Sequence, residues 1–135
     1  FKIGKAIELE AGRDVTIFAS GTMVHFCLQS AKLLREKGIS ASVWDMHTIK
    51  PIDKVAIDTA VQKNRLIVTV EEHSVIGGLS SAVAECLSSY KNNPSQLSIG
   101  INDFFPEPGD YPFMLKQCGL APEQIAEKIL NALKN

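Results

Sequence analysis

Two short apolar runs, Asp14 to Ser20 (DVTIFAS) and Leu66 to Glu72 (LIVTVEE), constrain this chain more than any other feature. They are short and rich in β-branched residues, which favours strands over helices. The second is apolar on both faces at its start. A strand of that kind needs cover on both sides, and the segments between the runs supply it.

Gly21-Thr22 opens a helix, with Thr22 as the expected N-cap. Val24, Cys27, Leu28, Ala31 and Leu34 follow helical spacing, and Gly38 stops the element. Ile39 to Met46 reads as the next strand. Asp53 is placed to cap a helix running to about Asn64. Gly77-Gly78 opens a third helix, whose apolar stripe is Leu79, Ala82, Val83, Cys86, Leu87 and Tyr90. Leu97 to Ile101 forms a last short strand, and Asn102 to Gly109 an irregular loop. Pro122 starts the final helix, with Ile125, Ile129, Leu130 and Leu133 on one side. Ala6 to Leu9 is a short first strand. Strand and helix alternating in this rhythm predict an α/β fold around a mostly parallel sheet, with helices on both faces.

Composition narrows the function. Lys and Arg number 14 against 15 Asp and Glu, a net charge of −1, so the basic excess of a nucleic-acid binder is missing. Apolar residues at 45% and charged residues at 21% exclude a disordered chain. Cys27, Cys86 and Cys118 are odd in number and far apart, with no CxxC pair or Cys/His ligand spacing. Cys27 and Cys86 read as buried small hydrophobes, and a reducing, cytoplasmic setting fits them. No signal peptide and no apolar run long enough to cross a bilayer is present, so no membrane partner is expected. The chain opens at Phe1 without an initiator Met, which suggests a piece of something longer.

In an open parallel sheet, ligands sit off the carboxyl ends of the strands. Three loops there carry chemistry. Ser20-Gly21-Thr22, with His25 just inside the helix, offers a helix N-terminus to an anion or serves only as a tight turn. The chain has neither GxGxxG nor GxxxxGK[ST], so a nucleotide site is not expected. Asp45 to Asp53 (DMHTIKPID) holds His47, Lys50 and Asp53, an acid–base set if they face one another. The plainer reading is a capped helix with Lys50 exposed. Glu71-Glu72-His73, followed by Ser74 to Gly78, is the most heavily loaded loop. It would suit a divalent metal or a tuned histidine. However, successive strand residues point to opposite faces, so Glu71 and Glu72 do not aim at one ion. A polar rim against a neighbouring domain is the preferred reading. No nucleophile–base pair stands out.

DVTIFASGTMVHFCLQSAKLLREKGISASVWDMHTIKPID, followed by VTVEEHSVIGGLSSAVAE, resembles the C-terminal domain of transketolase-type thiamine-diphosphate enzymes. The resemblance runs from Gly4 to Leu133. It is closest to the C-terminal section of two-part bacterial transketolases. Deoxyxylulose-phosphate synthase and the β subunits of 2-oxo-acid dehydrogenase E1 components are the neighbouring branches, and these tend to carry another residue in place of His73.

The resemblance implies one domain, residues 1–135, folded as a three-layer α/β/α sandwich. Its sheet would have five strands, the first antiparallel to the rest. Thiamine diphosphate and Mg would serve the parent enzyme, in transfer of a two-carbon ketol unit between sugar phosphates in carbohydrate metabolism. They would be held by pyrimidine- and pyrophosphate-binding domains that precede this one. No catalytic, cofactor or metal residue is therefore placed here, and the chain alone is not expected to be active. Its implied role is packing against those domains and supporting a homodimer, through Gly21, Thr22 and His25 and through Glu72, His73, Gly77 and Gly78. The loop FFPEPG, Phe104 to Gly109, departs from the family's Gly- and Ser-containing turn, which leads into a short helix. Ala121 is a poor N-cap, so the last helix is expected to fray at its start.

Overall fold

A computed structural model describes residues 1–135. Five strands form one sheet: β1 (Ile7–Glu10), β2 (Val15–Ala19), β3 (Ala41–Asp45), β4 (Leu66–Ser74) and β5 (Ser95–Ile101). The helices are α1 (Met23–Glu36), α2 (Lys54–Lys63), α3 (Leu79–Leu87), α4 (Tyr111–Gln117) and α5 (Pro122–Leu133). The strand order is β1-β3-β2-β4-β5. β1 pairs antiparallel with β3, and every other pair is parallel. This is the expected five-stranded sheet, with the first strand reversed.

Alternation along the strands splits the core between the two faces. Val15, Ile17 and Ala19 of β2 and Val68 and Val70 of β4 join Cys27, Ala31 and Leu34 of α1 and Ile125 and Ile129 of α5. Phe18 and Ile67 point the other way, onto Ile57 of α2 and Leu79 and Val83 of α3. Three layers result, with α1 and α5 on one face and α2 and α3 on the other. All five side chains of β2 are buried, which is why that strand reads as a continuous apolar run.

Several boundaries differ from the sequence reading. β4 runs on to Ser74, and its register against β5 shifts between Val70 and Ser74. β5 starts at Ser95, two residues early, because a sheet edge tolerates the polar Gln96. α3 ends at Leu87, so Tyr90 lies beyond it. Cys27 is buried, and its burial pushes the thiol far above the ordinary range. Cys86 is only half-buried, because it borders the groove between α2 and α3 and has no layer above it. Ala121 lacks a capping side chain, but Gln124 Oε1 accepts from its N–H at 3.2 Å and Gln124 Nε2 donates to Lys116 O at 3.0 Å. The start of α5 is therefore held where fraying was expected.

Asp53 caps α2 as expected. It accepts from the N–H groups of Val55 and Ala56 at 3.1 and 3.3 Å. It also accepts from the Ala6 N–H at 2.9 Å and from Lys5 Nζ at 3.4 Å, tying the lead into β1 to α2. Burial raises the Asp53 pKa. The Ala6 and Ala56 N–H groups and the Lys5 charge outweigh that and hold it below the usual carboxylate range. A folded-state pKa below the unfolded one adds stability above the unfolded value, and that stability is lost as pH falls through the folded value. Asp53→Asn is accordingly expected to cost about 1–2 kcal/mol at neutral pH. The gap between wild type and variant should narrow below about pH 4, where the unfolded carboxylate protonates. Urea melts across that range check this, and a gap independent of pH would contradict it.

Candidate functional site

The three loaded loops stand at or near the carboxyl ends of β2, β3 and β4, and the structure separates their residues into distinct groups. His47, Lys50 and Asp53 do not converge. His47 Nδ1 bonds Thr48 Oγ1 at 2.8 Å and its ring stacks at 4.3 Å on Phe1. Lys50 is exposed and Asp53 is committed to its cap. The capped-helix reading of this loop holds.

At the end of β4, Glu71 and Glu72 diverge as strand geometry requires. Glu71 is 2% exposed and turns under α3, where its two carboxylate oxygens accept from Leu79 N–H at 2.7 Å and Ser80 N–H at 2.9 Å. A negative charge at a helix N-terminus meets both the free N–H groups and the positive end of the helix dipole. Gly78 makes this approach possible, since a Cβ there would overlap the Glu71 carboxylate. Gly77, with φ +84°, makes the turn into the helix. His73 lies beside this pair, with its Nδ1 3.9 Å from Glu71 Oε2 and 2.8 Å from the Ser74 carbonyl it donates to. Its side chain is 61% exposed.

Glu72 points the other way, to the outside. Its Oε2 accepts from Thr22 Oγ1 and, at 3.0 Å, from the Tyr111 hydroxyl. Thr22 stands at the expected N-cap position of α1, but its side chain caps no backbone N–H. Its backbone is already helical and its hydroxyl is drawn to Glu72. Gly21, at φ +59°, precedes it with nothing close to its Cβ position. His25 is exposed, bonds Gln29 at 3.0 Å and packs edge-on against Phe26, which in turn faces Tyr111 at 6.5 Å. Burial and the neighbouring Glu72 carboxylate raise the Tyr111 phenol above its ordinary range, although Thr22 opposes the shift.

Tyr111 and the helix it opens were missed in the residue-by-residue reading. Pro112 sits in the first turn of that helix, where its missing N–H costs nothing. The overlooked signal is Asp110, whose Oδ1 accepts from the Phe113 N–H at 2.9 Å as the N-cap.

These contacts bear on whether an anion can sit at the helix starts that follow Gly21 and Gly77. Glu71 fills the N-terminus of α3, and Glu72 stands at the start of α1 through Thr22. A diphosphate would meet a carboxylate at either place. No group of three His, Cys, Asp or Glu side chains is placed to hold a metal ion. The residues present do not fit a metal–diphosphate cofactor. No helix is long and apolar enough to cross a membrane.

The family model described as transketolase, C-terminal domain, matches residues 4–125. A Methanocaldococcus jannaschii protein described as a transketolase C-terminal section is 45% identical over 134 residues, which are 99% of this chain and 42% of that protein. A 1-deoxy-D-xylulose-5-phosphate synthase of Dictyoglomus turgidum is 35% identical over 99% of this chain and 22% of its own length. A solved split-gene transketolase, described as an inactive β4 tetramer, superimposes with a TM-score of 0.89 at 40% identity, over 99% of this chain and 43% of that one. The chain thus spans less than half the length of each of these relatives.

Proposed function

The chain belongs to the transketolase C-terminal-domain family, and from this we propose that it is a non-catalytic assembly domain whose strand-end pole docks against the other parts of a transketolase-like enzyme. The observation that carries this reading is the internal use of both acidic side chains at that pole. Where a ligand-binding α/β fold leaves helix N-termini open, here Glu71 occupies that of α3, and Glu72 stands beside the start of α1, bonded to the Thr22 hydroxyl. What stays exposed, His25, His73 and the Gly21 and Gly77 turns, is a contact surface. In this reading residues 1–135 form one domain, it supports a homodimer by packing against the partner domains, and the setting is cytoplasmic. Thiamine diphosphate and its divalent metal belong to pyrimidine- and pyrophosphate-binding domains outside this stretch, where they would supply the carbanion chemistry of ketol transfer between sugar phosphates. The transketolase branch is favoured by 45% identity to the Methanocaldococcus jannaschii section, against 42% for a deoxyxylulose-phosphate synthase of Synechococcus.

A ketol-transfer assay on the chain alone, supplied with thiamine diphosphate and Mg²⁺, is expected to show no turnover above background. Titration calorimetry with the same cofactor and metal should show no saturable heat. Turnover, or saturable binding at micromolar concentration, would overturn the assignment.

A further inference from the structure

The segment between β5 and α4 presents an apolar surface that the fold does not use. Phe105 is fully exposed, and Phe104, Tyr111 and Phe113 are each exposed by nearly half. Ile76 is exposed in the turn after β4. That turn lies beside the end of β5, since Val75 N–H donates to Ile101 O. Large side chains on display at one end of a molecule mark a contact site more often than chance.

The loop that carries them is braced. Gln117 Oε1 accepts from the Glu107 N–H at 2.9 Å, and Gln117 Nε2 returns a bond to the Glu107 carbonyl at 3.1 Å. Asp110 caps α4, Tyr111 is bonded to Glu72, and the Phe113 ring lies across Gly109 where a Cβ would overlap it. Pro106 and Pro108 fix two further backbone angles. A loop held this way presents its aromatic pair at little entropic cost to a partner. The groove of about 730 Å³ between α2 and α3 includes none of these residues.

Charge identifies the partner's chemistry. Asp103, Glu107 and Asp110 flank the aromatic residues, and no Lys or Arg occurs from Asn92 through Leu115. A second copy offering the same face would set carboxylate against carboxylate. We infer that Phe104 and Phe105 form a hydrophobic anchor that inserts into an apolar pocket rimmed by Lys or Arg on the part of a transketolase-type subunit lying outside this domain. This rests on the assembly reading above. The Methanocaldococcus jannaschii relative, which aligns with 99% of this chain, carries more than half its length outside the aligned stretch, enough to supply such a surface.

The test joins residues 1–135 to the remainder of the Methanocaldococcus jannaschii relative in place of its aligned stretch. Calorimetry then follows the parent chimera, its Phe105→Ser form and its Phe105→Leu form. The parent is expected to melt as one unit, Phe105→Ser to split off a separate transition for this domain, and Phe105→Leu to remain coupled. The isolated 135-residue chain should melt at the same temperature with Phe or Ser at 105. Added salt should weaken the coupling in the parent. A Phe105→Ser chimera that melts as one unit at the parent temperature overturns the anchor and leaves the assembly reading standing. A parent chimera that melts as two independent units overturns both. A lowered melting temperature of the isolated Phe105→Ser chain would make Phe105 a folding residue and overturn the anchor as well.

Discussion

Glu71→Ala is expected to remove about 3 kcal/mol of stability from the chain, a large share of the 5–15 kcal/mol typical of a domain. The carboxylate is buried and gives one oxygen each to Leu79 N–H and Ser80 N–H. Alanine would leave both donors without a partner in a buried setting, where each costs roughly 1–3 kcal/mol. It would also remove the negative charge from the positive end of α3. Glu71→Gln keeps one acceptor and should recover about half of the loss. Gly78→Ala attacks the same contact from the other side, since its methyl overlaps the carboxylate. The costs of Glu71→Ala and Gly78→Ala should therefore sum to more than the double variant loses. Urea unfolding reads all four, as a lower midpoint with an unchanged slope. A loss for Glu71→Ala below about 1 kcal/mol would mean that water reaches the two N–H groups, and the internal-cap account would fail.

That cap shows how far the sequence carries and where it stops. β2 and β4 are legible because strands covered on both faces must be apolar throughout, and that demand is written locally in DVTIFAS and LIVTVEE. Gly38 and Asp53 are legible for a similar reason: a positive φ of 81° and an N-cap are local needs that few residue types meet. Glu71 and Glu72 were legible as a loaded pair pointing to opposite faces, but not in their partners. The α3 N-terminus comes under Glu71 only after the Gly77-Gly78 turn, and Tyr111 reaches Glu72 from 39 residues away. Thr22 looked like a cap because its type suits one, and a carboxylate 50 residues on claimed its hydroxyl instead. Helix α4 is only 7 residues long, too short to show an apolar period of its own in the sequence. The candidate site is assembled mostly from contacts of this long-range kind, so its members were readable and its wiring was not.

Gly12→Ala should be at least as damaging, at about 3 kcal/mol or more, although the residue touches neither acidic cluster. Gly12 lies in the turn between β1 and β2, directly against the start of β3. A Cβ there would sit inside the Ala41 carbonyl carbon and the Ser42 nitrogen. Both are backbone atoms, so no rotamer change makes room. The turn is also fastened to the same strand. Arg13 and Asp14 donate their N–H groups to Ser40 O at 3.1 and 2.8 Å, and Asp14 Oδ2 accepts from Ser40 N–H at 2.7 Å. Moving the turn outward to admit a methyl would break these bonds, and holding them would force β3 away from β2, where Thr16 bonds Ser42 at 2.9 Å in the core. Gly21→Ala is the matching control. Its φ of +59° disfavours alanine, but nothing lies within 4 Å of the new methyl, so only the backbone cost of about 1–2 kcal/mol applies. Equal losses for the two variants would show that the close approach at Ala41 relaxes freely. With the expected difference, amide exchange should quicken first in β1, the edge strand whose only sheet partner is β3.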